Sequence, residues 1–385
     1  MPRQSSRDHE ESMARCCTPA LPVLLDFLSG FFSPTMSYGS RFKSLLEVVN
    51  HCDESASPRP VNTPKFLTRA SFPLPEKDLK AYTARVNSVY HFKVGRDATT
   101  LGFVLPEVAR KLARCAGWET NDKTTPKTLT LSGGNDHGSR SEIIKTAMAH
   151  FKNKRTFGVL EKWRGELKPC YGPTGTILFS IERAAFPLLG IVAYGVMLVA
   201  YTRDNQGGVK GLWVQRRSRE ARTHAGLLDG TAAGGVPIHK KPFTTMVSEA
   251  EEEASFSREL VGRSAKACGT LSYFHTRRKE MGGEVGLLQP GVHFLYDMEV
   301  PEDVQPRSND ANVEGFELMA PDRLKREILA GNVKPWFALA VIDFFVRHGI
   351  IHEENERDFI EISMRLHRHL EFPVFGVSFL IDHLH

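Results

Sequence analysis

The chain has little cysteine for its length: six residues in 385, at positions 16, 17, 52, 115, 170 and 268, with no C-x-x-C spacing. Scattered in this way they argue against a disulfide framework or a zinc site and fit reduced thiols inside a cell. A phosphate cradle of the form G-x-x-x-x-G-K-[ST] is also missing, which excludes a P-loop kinase. So is a charge of one sign. Fifty basic residues stand against 45 acidic ones, leaving a formal +5, and the charges are interspersed, so nucleic acid is not an expected partner; a weak positive field only helps a small anion approach. One uncharged run, Ala184 to Tyr201, reaches 18 residues, the margin of a membrane span. Pro187, Gly190 and Gly195 interrupt it, and it is rich in β-branched and aromatic residues. Buried strands of an α/β core explain it better than a membrane helix, and no membrane contact is expected.

At 41% hydrophobic and 25% charged residues, the composition is that of an ordinary soluble protein, and the length accommodates two cores. The N-terminus carries Arg3, Arg7 and Arg15, but Asp8, Glu10, Glu11 and Asp26 spoil the match to a transit peptide. Residues 1–35 therefore read as a disordered extension or as an artefact of start-site choice, and the cytoplasm is the default compartment, with the mitochondrion and nucleus left open. Apolar spacing predicts a short helix over Phe42–Cys52, followed by a Ser- and Pro-containing loop to Pro64. Leu101–Leu105 reads as a strand entering a helix at Pro106, a first-turn position that suits proline. Leu131–Ser141 reads as a loop and Glu142–Lys154 as a helix. The turn-rich stretch Trp163–Gly175 places a domain boundary, so that residues 36–175 form a first, smaller α+β domain, 176–350 a second, and 351–385 a C-terminal helix and tail. In the second domain Ile191–Tyr201, Gly211–Gln215 and Val292–Val300 read as strands, and Pro321–Ala330 and Trp336–Arg347 as helices. The mixture predicts an α/β (α+β) class.

The segment that carries chemistry is a glycine-led loop, Gly234-Gly235-Val236-Pro237-Ile238, followed by a predicted helix over Pro242–Ala254. Glu249, Glu252 and Glu253 are three and four residues apart, so a helix gathers their carboxylates on one face. Phe243, Met246, Val247, Ala250 and Ala254 define a separate apolar face, and Glu251 points elsewhere. Three neighbouring carboxylates repel one another unless a cation or solvent compensates them, and hard ions such as Mg²⁺ or Mn²⁺ prefer such oxygens. A solvated acidic face is the plain alternative; the glycine pair favours the metal reading, because it lets backbone amides approach phosphate.

From Gly234 to Phe256 the chain resembles a Nudix box, G-x5-E-x7-R-E-U-x-E-E-x-G-U, with the glycine and the three core glutamates in place. Four positions depart: Lys240 for the first glutamate, Ser248 for the arginine, Ala250 for a bulky aliphatic residue and Ser255 for the last glycine. The resemblance extends to the eukaryotic Nudix proteins related to thiamine pyrophosphokinase. It rests on Leu101–Pro106, Leu178–Ala185, Arg216-Arg217-Ser218, Ala233–Pro237, Glu251–Ser255, Gly282–Pro290 and Leu366–Pro373. It implies an α/β/α sandwich with a mixed sheet, preceded by a characteristic N-terminal domain. It also implies metal-dependent hydrolysis of a small diphosphate, in particular thiamine diphosphate or its oxidised forms, to the monophosphate. A nucleoside diphosphate derivative is the alternative substrate. A diphosphate-binding module impaired by the loss of the box arginine is the alternative function.

In that scheme Glu249, Glu252 and Glu253 hold Mg²⁺ or Mn²⁺, which bridges the diphosphate and activates a water. Gly234 and Gly235 approach the phosphates, and Arg216 and Arg217 are the candidate cations for them. Glu284, in the loop Gly282–Gly286, is a candidate general base or extra ligand. Tyr273 and Phe274 are candidates to stack on an aromatic ring or to fill the core, and His275 is open between the two roles.

Overall fold

In a computed structural model of the chain, residues 40–53, 76–221 and 223–374 are described. The expected extension 1–35, the loop from Glu54 to Pro64 and the tail beyond Val374 lie outside the described residues. Four short strands come first: β1 (Tyr90–Val94), β2 (Gly102–Val104), β3 (Trp118–Asn121) and β4 (Thr128–Leu131). They form a sheet in the order β2-β1-β4-β3, with β1 and β4 parallel and the other pairs antiparallel. The helix His137–Asn153 covers it, and Phe92, Leu129, Leu131, Ile144 and Met148 are buried between them. That helix starts earlier than Glu142, inside the segment expected to be a loop. Asp136 caps it, accepting from Ser139 N at 2.9 Å while the Ser139 hydroxyl accepts from Asp136 N, a reciprocal cap that fixes the start against the neighbouring glycines. A helix at Glu76–Ser88 and strands β1, β3 and β4 carry no periodicity strong enough to be read from the sequence.

An antiparallel hairpin follows, β5 (Leu167–Tyr171) and β6 (Ile177–Glu182), with Lys168 opposite Ile181. The expected boundary at residue 175 falls between its two strands. Its second strand packs on the first core through Phe179 and Ile181.

Seven further strands, β7 (Ala193–Arg203), β8 (Val209–Arg217), β9 (Leu228–Asp229), β10 (Ala232–Gly235), β11 (Ala265–Thr276), β12 (Leu288–Glu299) and β13 (Val313–Met319), build a mixed sheet. Its main path is β11-β12-β7-β8-β13, with β7 and β12 parallel. The second half of the uncharged run becomes the central strand β7, buried on both faces; its first half, also expected as strand, instead forms the short helix Phe186–Leu189, with Pro187 in the first turn and Gly190 ending it at φ 58°. Val196, Leu198 and Ala200 join a core with Met246, Ala250 and Ala254 of the helix Pro242–Ala254; Met197, Val199 and Tyr201 join one with Phe337, Val341 and Phe344 of the helix Pro335–Arg347. Alternation along one strand thus gives each face its own helix layer, the α/β/α arrangement expected. Each fully buried large apolar side chain contributes about 1.5–3 kcal/mol. Phe243, expected on the apolar helix face, is instead 39% exposed, edge-on to Tyr296.

The helix Leu45–Cys52 packs in the core of this second sheet, not on the first one. After the helix Phe359–Leu366 the chain returns to β11, where Arg368 bonds Asp53 at 2.6 Å and Glu371 at 2.5 Å and lies over the Phe274 ring. Among the described residues no helix is long and apolar enough to cross a membrane.

Candidate active site

Strand β7 changes partner along its length. Gly195–Leu198 pair with β10, whereas Tyr201–Arg203 pair with β8. At the fork the Thr231 hydroxyl accepts from Ala200 N at 2.9 Å and donates to Trp213 O at 2.7 Å. The helix Pro242–Ala254 lies beside this fork, starting with proline at its first position and ending at Ser255, whose φ of 55° is left-handed. Glu249 and Glu253 therefore meet strand ends rather than open solvent.

Glu253 is held by both strands: Ala233 N donates to it at 3.0 Å and Gln215 Nε2 at 3.1 Å. Glu249 sits directly against Gly234, in the space that a Cβ at that residue would need. Glu252 is exposed on the same helix face. Burial, then the charges of Glu253 and Glu252, push the Glu249 carboxyl up to about 8, with Lys168 and Arg183 opposing. Glu253 is raised to about 7 by burial and by Asp229.

Next to Gly234 and Gly235 opens a cavity of about 250 Å³. Aromatic residues Tyr171, Tyr194, Tyr273 and Trp336 line it, together with Lys168, Arg183 and Lys334. Tyr273 stacks between His293 and Trp336, with ring centroids 5.4 and 5.0 Å away. The cations come in two sets. Glu166 holds Lys168 at 2.6 Å and Arg183 at 2.8 Å; Asp229 holds Lys334 at 2.5 Å and Arg217 at 3.2 Å. Burial alone would raise Asp229, but the two cations outweigh it and keep its carboxyl below the usual range. Burial lowers the Lys168 ammonium, against the pull of Glu166. Glu166 thus has two cavity cations to its one carboxylate, whereas only Lys334 of the Asp229 pair is in the cavity wall.

The structure thus brings Glu249, Glu252, Glu253, Gly234 and Gly235 to one place, with Tyr273 in the cavity wall. Phe274 stacks on Phe372 in the core, and His275 rests against Met281 and Trp336. Arg216 and Arg217 are not among the cavity residues. Arg216 donates to Gly226 O at 3.0 Å, and Arg217 reaches the wall only indirectly, through Asp229. Glu284 accepts from the amides of Gly158 at 2.5 Å and Val159 at 3.2 Å, capping the turn Gly158–Lys162, and is likewise not in the cavity wall. Lys168, Arg183, Lys334 and Trp336 were not legible in advance. The lysines are lone residues of a common type that no spacing marks, and Arg183, although inside the segment Leu178–Ala185, carries no signal of its own for a phosphate.

The donor set suits a hard divalent cation. Burial and the neighbouring carboxylates that together lift Glu249 are what such an ion would offset. Among the described residues no three His, Cys, Asp or Glu side chains are gathered closely enough to define an ion position, so no coordination geometry follows.

Residues 77–193 match a family described as a domain of unknown function, DUF4743. Over 308 residues the chain is 27% identical to an uncharacterized protein of Saccharomyces cerevisiae, covering 78% of this chain and 89% of that one. Over 214 residues it is 36% identical to the protein named Nudix hydrolase 20, chloroplastic, of Arabidopsis thaliana, covering 54% of each. The chain spans about half the length of that relative. Among solved structures, one from Deinococcus radiodurans is 20% identical, with a TM-score of 0.36, and matches 47% of this chain and 100% of its own.

Proposed function

We propose that this chain, Nudix-like in its box, its mixed-sheet α/β fold and its relatives, hydrolyses a small-molecule diphosphate, and that the substrate is thiamine diphosphate or an oxidised derivative of it. The observation that carries the reading is the seating of Glu249 against Gly234. It puts the box carboxylates and the glycine strand at the edge of a cavity with positive walls and aromatic faces. Hydrolysis adds one water across a P–O–P bridge: the water oxygen bonds to phosphorus, the bridging oxygen leaves with the other phosphate, and thiamine diphosphate yields the monophosphate and orthophosphate.

Glu249, Glu252 and Glu253 would hold Mg²⁺ or Mn²⁺, which supplies charge neutralisation and activation of the attacking water. Ala233 N and Gln215 fix the carboxylate of Glu253. Lys334, also in the cavity wall, adds positive charge and is anchored by Asp229. Tyr194 and Trp336 offer flat faces to a ring attached to the diphosphate. Positioning and electrostatics of this kind are what phosphoryl transfer mainly requires.

A second reading, a diphosphate-binding module without turnover, is favoured by one feature. Ser248, at the place of the box arginine, brings no charge to orient a glutamate. Phosphate release from thiamine diphosphate, its oxidised analogues and nucleoside diphosphate derivatives, with Mg²⁺ or Mn²⁺, separates the readings. Selective cleavage of the thiamine compounds that Glu252→Gln abolishes is the expected result. Preference for a nucleotide moves the substrate, and binding with no turnover of any diphosphate favours the module.

A further inference from the structure

We propose that the hairpin ahead of the large sheet completes the active site: Lys168, with Arg183 beside it, clamps the diphosphate next to Glu249. This rests on the diphosphatase reading above and assigns a task to two residues of the region that matches a family of unknown function.

Lys168 lies on β5, before the large sheet begins, yet its ammonium reaches β10. It donates to Gly235 O at 2.8 Å and pairs with Glu166 at 2.6 Å. Its side chain is only 9% exposed. An ammonium has three N–H donors, and these two partners use two, so one remains at a wall of the cavity that Lys168 lines. The fit to the glycine strand is tight, because a Cβ at Gly235 would stand 2.8 Å from Lys168 Nζ. The two glycines thus have separate tasks: Gly234 makes room for Glu249 and Gly235 for Lys168.

Burying a lysine is expensive unless its charge is answered. Here the answering carboxylate is shared. Glu166 also takes Arg183 Nη1 at 2.8 Å, and Arg183, 48% exposed, lines the same cavity. A staple between β5 and β10 would need one cation for one carboxylate; the hairpin instead brings two cations for its one carboxylate, and both also act on Glu249 beside the cavity. The helix supplies none at Ser248, so the cation missing from the box position enters from the preceding hairpin. A hydrogen bond to a charged group contributes about 1.5–3 kcal/mol, and loss of one such contact weakens binding by about tenfold or more.

The test titrates methylenediphosphonate, a diphosphate that cannot be hydrolysed, into the metal-free full chain by calorimetry. Thermal melts and metal-dependent turnover are measured beside it. Lys168→Met is expected to weaken binding by about tenfold or more, and Lys168→Arg to restore most of it. Arg183→Ala, at a half-exposed position where folding is safe, is expected to weaken it by about threefold or more. Glu252→Gln should lose turnover and keep metal-free binding. Lys168→Met that folds and binds like the wild type, Arg183→Ala that binds like the wild type, or a wild type that does not bind overturns the clamp. Should Lys168→Met fail to fold, Arg183→Ala decides. A wild type that binds through Lys168 and Arg183 but cleaves no diphosphate leaves the clamp standing and removes the hydrolase reading instead.

Discussion

The carboxylate of Glu249 fills the space that a side chain at Gly234 would occupy. The glycine of the sequence motif is therefore a steric condition for the position of a glutamate fifteen residues later on the helix, and the two are recognised together because they are packed together.

Gly234→Ala should displace Glu249 without unfolding the chain. The added methyl cannot coexist with the carboxylate as placed, and Glu249 is a side chain that can turn away. Turnover is expected to fall by about tenfold or more, with a loss of stability of about 1–3 kcal/mol. Initial rates and urea unfolding on the same preparation check both. Wild-type turnover would show that the position of Glu249 does not matter to the chemistry.

Ser255 ends the glutamate helix in the left-handed region, φ 55°, with its hydroxyl donating to Arg307 O at 3.0 Å. Glycine there removes the strain and loses that bond, so Ser255→Gly should stay within about 1 kcal/mol of the wild type. Ser255→Val adds a β-branched side chain to the same backbone and should cost about 1–3 kcal/mol. Urea midpoints give both numbers, and a valine variant as stable as the wild type would remove the constraint.

Acid should destabilise the fold through histidines kept neutral. Burial, reinforced by Lys334, lowers His293 and His224 to about 3. In the unfolded chain they take up a proton near the ordinary value of about 6.5. Below that pH the unfolded state binds more protons than the native one, so their contribution is present above about 6.5 and is lost as pH falls toward 3. Each should add up to about 1.4 kcal/mol per pH unit to the slope of stability. Urea unfolding between pH 7 and 5 is expected to show a steeper decline for the wild type than for His293→Gln. Equal slopes would mean that His293 is already protonated in the native state.

Much of the second half of the chain was legible in advance because its signals are local. The helix Pro242–Ala254 forms over the residues that the apolar spacing and Pro242 indicate, and so does Pro321–Ala330. The run Ala184–Tyr201 is a strand over most of its second half because its residues suit burial on both faces. Glu249 and Glu253 face the glycine strand as a spacing of four residues requires. The four-stranded sheet β1–β4 was less readable. Its strands have five residues or fewer, too short for a period to stand out, and its helix at His137 begins among glycine and serine residues whose cap chemistry outweighs their composition.

By itself the sequence determined the class of the fold, the helix carrying three glutamates and the glycines before it, since side chains three and four apart must share a helix face whatever surrounds them. Tertiary structure alone decided which cations serve that site. Arg216 and Arg217, close to the box in sequence, are turned to Gly226 and Asp229, while Lys168, 66 residues before Gly234, donates to the carbonyl of Gly235. The reason is physical. A charged side chain acts over a few ångströms of space, and only the packing of the hairpin against the sheet fixes which of the 50 basic residues lies within that distance of the carboxylates.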